Sequence, residues 1–366
     1  MKRADIEAVD AEAGDLVALV SPRGRTLGYG LFSDRSPIAV RLMTRTESPP
    51  DASLWRDRLA DAIAYRKTLS IDATAYRMVH GEGDLLPSLV VDRYSDVLVL
   101  QALSQGVDRH IQLIRDLLIE LVHPVGILAR HDAQARALEG LPRRVELLHG
   151  EVPHDLAVRD GPVHLCVDPW EDDSTGLFLD QRENRVLAAE YARGRALDCF
   201  CYTGGFALHL ARRCEEVVAV DSSPTAVDRL ARHASLNGAT NLRPRLADVF
   251  ELLPELGRAG MTFDTIVLDP PALARNRSAM SKALAGYKEL NFRAFSLLAP
   301  GGTLVTCCRS PHVDEATFTE LVSDAANDAR ARAVLMEKRL QSRDHPVLVS
   351  VPETSYLKCL VMRRMG

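Results

Sequence analysis

The sequence predicts an α/β protein: a parallel α/β sheet in the C-terminal half, a small β-barrel at the N-terminus and an α+β segment between them. Regular helix–strand alternation from about Asn184 onward carries the first part. Short apolar runs punctuated by Gly and Pro before residue 45 carry the second, and a hairpin followed by an amphipathic helix carries the third. At 366 residues the chain exceeds one ordinary core, and the expected domains are 1–72, 73–183 and 184–366.

In the first segment, residues 16–20, 27–32 and 38–43 read as strands, with a turn at Ser21-Pro22-Arg23-Gly24. A helix follows from an Asp51 or Ser53 cap through Leu54, Leu59, Ile63 and Leu69. Residues 21–70 hold nine basic side chains against five acidic ones, in a chain of net charge −5. That excess points either to scattered solvated arginines or to an RNA-facing surface with Arg23, Arg25, Arg35 and Arg41.

In the middle segment, residues 89–101 read as a hairpin turning at Tyr94-Ser95-Asp96. A helix with Ile111, Ile114, Leu117, Leu118 and Leu121 on one side comes next, then strands at 126–129 and 163–167. No catalytic constellation is visible there. The third segment places strands at 196–200, 217–221, 265–269 and 303–307. Ser223 caps the helix after the second, Pro224 occupies its first position and Asn237-Gly238 ends it. Runs around 334–336 and 356–362 predict a closing antiparallel pair.

Composition narrows the class. Hydrophobic residues at 46% and charged residues at 26% describe a globular chain. No apolar run reaches the roughly 18 residues that span a bilayer, and the first residues lack a secretory core. Seven cysteines without C-x-x-C or metal-ligand spacing fit a reducing cytoplasm, with no metal site expected.

The third segment carries a cofactor pattern. Gly204-Gly205, after the first strand, let backbone approach a ligand closely. Asp221 ends the second strand, where a carboxylate would accept hydrogen bonds from ribose hydroxyls. Asp248 stands where an adenine amine would be held, and Asp269-Pro270-Pro271 ends the next core strand. A nicotinamide or flavin enzyme would require G-x-G-x-x-G for a pyrophosphate. Tyr202-Thr203-Gly204-Gly205-Phe206 does not supply it, so S-adenosylmethionine, which has no pyrophosphate, is the predicted cofactor. The expected contacts are Phe200, Tyr202, Thr203, Gly204, Gly205, Asp221, Ser222, Asp248, Val249 and Asp269.

These residues resemble the ribosomal RNA large subunit methyltransferases of the "I" type, which make 5-methylcytosine. The matching stretches include Asp198-Cys199-Phe200-Cys201-Tyr202-Thr203-Gly204-Gly205-Phe206, Gly176-Leu177-Phe178-Leu179-Asp180-Gln181-Arg182-Glu183-Asn184, Leu89-Val90-Val91-Asp92-Arg93-Tyr94, Gly286-Tyr287-Lys288-Glu289-Leu290-Asn291 and Asp344-His345-Pro346-Val347. The resemblance implies a PUA-like N-terminal domain, a middle α+β domain and a Rossmann-like methyltransferase domain. It also implies that Gln181 and Arg182 line the cofactor pocket and that large-subunit ribosomal RNA is the partner, with a homodimer left open. Contacts to RNA are expected from the N-terminal arginines and from Arg275, Arg277, Lys282 and Lys288.

The chain departs from that pattern in places. The opening stretch with its tryptophan is missing, and Ser174 and Ala272 stand where the family commonly has lysines. Arg309 occupies the position of the family's nucleophilic cysteine, with Cys308 one residue early. Methylating carbon 5 of cytosine needs a thiolate at carbon 6. Cys308 is therefore the catalytic candidate beside Asp269, and a neighbouring Arg309 would favour its thiolate. Two alternatives stay open: methylation of an exocyclic amine, with Asp269 accepting its hydrogen bond, or an RNA-binding assembly factor with altered or lost activity.

Overall fold

The computed structural model describes residues 1–273 and 279–366, which form two compact units. The first comprises Met1–Asp160, Cys166–Asp180 and Arg343–Thr354. Its N-terminal strands β1 (Leu16–Val20), β2 (Thr26–Phe32) and β3 (Val40–Thr44) make an antiparallel sheet in that order, three strands where a barrel is expected. Helix α1 (Ala52–Thr68) starts where Asp51 accepts the Ser53 N–H, and it buries Trp55, Leu59 and Ala62.

A second sheet follows, from β4 (Ala75–His80), β5 (Leu89–Tyr94), β6 (Val97–Ala102), β7 (Gly126–His131) and β8 (Arg144–Gly150), again in sequence order. Only β6 and β7 are parallel, because the crossover between them holds α2 (Gln105–Arg109) and α3 (Ile111–Val122). The short α4 (Ala135–Leu138), then β9 (Leu156–Asp160) and β10 (Val163–Val167), complete this stretch. Leu31 and Met43 of the N-terminal sheet share one apolar cluster with Leu98, Ile114 and Ile127. That shared core joins the N-terminal sheet to the second sheet within this unit.

The second unit comprises Gly161–Leu165, Gln181–Ser342 and Ser355–Gly366. Its helices are α5 (Arg182–Tyr191), α6 (Gly205–Ala211), α7 (Pro224–Leu236), α8 (Val249–Arg258), α9 (Met280–Leu297) and α10 (Glu315–Asp328). They connect β11 (Arg195–Cys199), β12 (Glu216–Asp221), β13 (Leu242–Leu246), β14 (Phe263–Leu268), β15 (Leu298–Cys308), β16 (Ala333–Arg339) and β17 (Lys358–Arg364). The sheet order is β13-β12-β11-β14-β15-β17-β16, parallel except for β17, which runs antiparallel to both neighbours. Strand β11 pairs with β12 on one side and β14 on the other, so the winding reverses there and opens a crevice at the strands' carboxyl ends. Leu197, Ile266 and Leu304 of the sheet pack with Tyr287, Leu290 and Phe295 of α9. Strand β13 has no strand signature in the sequence, because Arg243, Pro244 and Arg245 suit a sheet edge.

Candidate functional site

The crevice of the second unit is shaped by an unusual turn after β11. Phe200, Tyr202 and Gly204 all adopt left-handed backbone, at φ 63°, 50° and 96°. The turn is pinned by Cys201 N–H donating to Val220 O and Gly204 N–H to Cys201 O. A Cβ on Gly204 would lie 2.2 Å from Leu230 Cδ1, so only glycine fits without displacement. Asp221 ends β12 and clasps the same turn: its Oδ2 accepts the Tyr202 N–H (2.8 Å) and its Oδ1 the Ser223 N–H (2.9 Å). A carboxylate offers about four acceptor positions, so two remain for ribose hydroxyls.

Ala247 N–H donates to Asp221 O, which brings the ends of β12 and β13 together. Asp248 caps α8 through the Phe250 N–H (2.7 Å), with Val249 buried beneath it. Phe250 meets Phe200 edge-on at 6.3 Å. Both rings border the turn, and nothing in the sequence pattern singled out Phe250. Thr203 is buried, and its carbonyl faces His233 Nδ1 at 2.9 Å, while Ser222 is exposed.

Asp198, at the base of the crevice, is fully buried, and among the described residues the Ala207 N–H approaches its carboxylate without reaching good hydrogen-bond geometry with either oxygen. Burial, and then the nearby charge of Asp269, pushes its carboxyl well above the usual carboxylate range, offset only in part by the Ala207 N–H. An orphaned carboxylate, a glycine cradle and half-used acceptors on Asp221 suit a ligand with a cationic tail and a ribose. These residues therefore fit S-adenosylmethionine.

The opposite wall is held by an ion pair. Arg309 forks onto Asp269, Nε to Oδ1 at 3.2 Å and Nη2 to Oδ2 at 2.9 Å. The two side chains are only 14% and 12% exposed. Gln181 Nε2 donates to Asp269 Oδ1 (2.9 Å), and Asn184 holds Gln181 in turn through its Oε1. Arg182 is buried at the start of α5, with Glu183 3.5 Å away. The sequence marks Gln181, Arg182 and Asp269, but the Arg309–Asp269–Gln181 chain emerges only in three dimensions.

The two adjacent thiols face opposite sides of β15, as strand alternation dictates. Cys307 pairs across the ladder with Cys359 and lies beside Gln181 and Asp269. Cys308 turns into the core with Tyr287 and Phe318 and is 0% exposed. The expected nucleophile thus points into packed side chains. Arg309, expected to act on that thiol, is engaged by Asp269 instead.

The expected RNA contacts divide as well. Arg23, Arg25 and Arg35 are exposed. Arg41 is not free for RNA, because it makes an ion pair with the buried Glu139 at 2.9 Å. Lys282 is exposed at the start of α9, whereas Lys288 is balanced by Asp328 at 2.9 Å and Asp324 at 4.0 Å, so its charge is locally neutralised. Arg275 and Arg277 lie outside the described residues. Among the described residues, no helix is long and apolar enough to cross a membrane, and no cluster of ligands could hold a metal.

Comparison with known proteins shows the family and the fold. Residues 76–363 match the family model for S-adenosylmethionine-dependent methyltransferases, and residues 1–45 match a PUA-like domain. Ribosomal RNA large subunit methyltransferase I of Tolumonas auensis is 40% identical over 361 residues, covering 96% of this chain and 91% of its own. The protein of that name from Shewanella amazonensis is 40% identical over 358 residues, with coverages of 96% and 90%. Among solved structures, a Streptococcus mutans chain described as an S-adenosylmethionine-dependent methyltransferase superposes with TM-score 0.82 at 19% identity, covering 96% of this chain and 92% of that one. A methyltransferase complexed with SAH gives TM-score 0.84 at 20% identity with the same coverages. Those two likenesses show the fold. The chain therefore belongs to the S-adenosylmethionine-dependent methyltransferases, in the ribosomal RNA large subunit methyltransferase I family.

Proposed function

We propose that this enzyme methylates large-subunit ribosomal RNA, with a cytosine as the target base. The observation that carries the reading is end-to-end likeness, 40% identity across 96% of the chain, to relatives named for that RNA. Bound S-adenosylmethionine supplies an electrophilic methyl on a sulfonium. Asp221 and the turn from Phe200 to Gly204 orient it, and fixed geometry between donor and acceptor lowers the barrier. Arg23, Arg25, Arg35 and Lys282 are the exposed cations assigned to RNA phosphates. Mass analysis of nucleosides from ribosomal RNA, with and without the gene, tests the reading. One methylated nucleoside should vanish from the large subunit and return on complementation, and unchanged nucleosides would contradict it.

A further inference from the structure

The acceptor wall of the site supports one kind of methyl transfer better than another. Carbon-5 methylation proceeds through a thiolate added at carbon 6, on the ring face away from the sulfonium. All seven cysteines of the chain are described. Cys308 is sealed in the core beside Tyr287 and Phe318. Cys307 is also fully buried, and burial pushes its thiol up, with Cys359 and then Asp269 adding to the effect. Cys199, Cys201, Cys214 and Cys359 are buried, and Cys166 is half-buried on β10 in the other unit. The wall thus presents a guanidinium–carboxylate pair and no exposed sulfur.

The hydrogen-bond inventory at Asp269 points the same way. Among the described residues, Oδ1 accepts from both Gln181 Nε2 and Arg309 Nε, while Oδ2 accepts only from Arg309 Nη2. Of the roughly four acceptor positions on a carboxylate, one remains, on Oδ2. Its natural complement is an N–H donor such as the exocyclic amine of a base, and with no exposed thiol at the wall to activate carbon 5, that amine is the nucleophile the site can use.

Resting on the RNA reading above, we infer that the methyl acceptor is an exocyclic base amine held by Asp269 Oδ2, with no covalent enzyme–RNA intermediate. The amine lone pair forms the N–C bond as the C–S bond breaks, and the bonding electrons stay on sulfur, leaving a neutral thioether. The methylated nitrogen then loses one proton to solvent water, through the hydrogen bond accepted at Asp269. Arg309 is a positioning residue, because its fork fixes the plane and the remaining lone pair of that carboxylate.

The test uses the full-length protein, ribosomal RNA from a strain lacking the gene, and cofactor with a deuterated methyl group. Labelled nucleosides are identified by mass spectrometry, and in parallel RNA containing 5-fluorocytidine is examined for a denaturation-resistant protein–RNA adduct. The expected results are an N-methylated nucleoside and no adduct. Cys166→Ala, Cys307→Ala and Cys308→Ala should each stay within about threefold of wild-type turnover, an effect below 1 kcal/mol. Labelled 5-methylcytidine, or an adduct lost in any of the three alanine variants, would overturn the inference while leaving the RNA reading intact. Absence of label from all RNA would overturn the reading and the inference together.

Discussion

The two walls of the crevice were written into the sequence in different ways. The cofactor wall is made of backbone: three left-handed residues, a glycine that tolerates no Cβ, and Asp221 clasping the turn through two N–H groups. The acceptor wall is made of side chains, Arg309 on Asp269 on Gln181. Backbone geometry demands particular residue types at particular positions, so the first wall shows in the order of residues. Side-chain pairing across 40 or 88 positions leaves no local trace, and the second wall shows only when the sheet is assembled.

The sharpest way to break the first wall is Gly204→Ala. Left-handed backbone at φ 96° and a clash with Leu230 should together cost about 2–4 kcal/mol of stability, read from a denaturant midpoint. A loss below about 0.5 kcal/mol would mean that the turn relaxes freely and is no cradle.

The second wall is tested by Arg309→Gln. It leaves Asp269, only 12% exposed, without its cation and should cost about 2–3 kcal/mol. Its kinetic signature is a fall in kcat of tenfold or more, with S-adenosylmethionine affinity within about twofold of wild type. Arg309→Lys should recover part of the kcat. Equal losses in cofactor affinity and kcat would place Arg309 on the cofactor wall instead.

A smaller effect joins the walls at Asp198, whose raised carboxyl reflects burial and then Asp269. Its folded pKa lies above the unfolded value, so its contribution to stability is complete below about 4 and is lost as pH rises through the folded value. The cofactor-free wild type should therefore lose stability relative to Asp198→Asn as pH climbs from about 4. Parallel profiles for the two proteins would remove Asp198 as an uncompensated carboxylate.

The legible and illegible parts of the fold divide along the same line. The Ser223 cap, the Pro224 start and the turn at Ser95 were readable because each needs a specific residue type. The parallel pairing of β11 with β12 and β14 follows from helix–strand alternation, whereas β13 hid behind Arg243 and Pro244. Arg41 read as a surface cation until Glu139, nearly a hundred residues later, proved to bury it. Cys308 read as the reactive thiol because sequence proximity to a motif does not say which face of β15 a side chain occupies.

The account's central claim, that the crevice of the second unit binds S-adenosylmethionine through Asp221, is tested most directly by titration calorimetry. Saturable binding to the wild type is predicted, weakened by about 1.5–3 kcal/mol in Asp221→Ala, roughly 10- to 150-fold in Kd. No binding heat with the wild type across several temperatures, or full affinity in the variant, would contradict it.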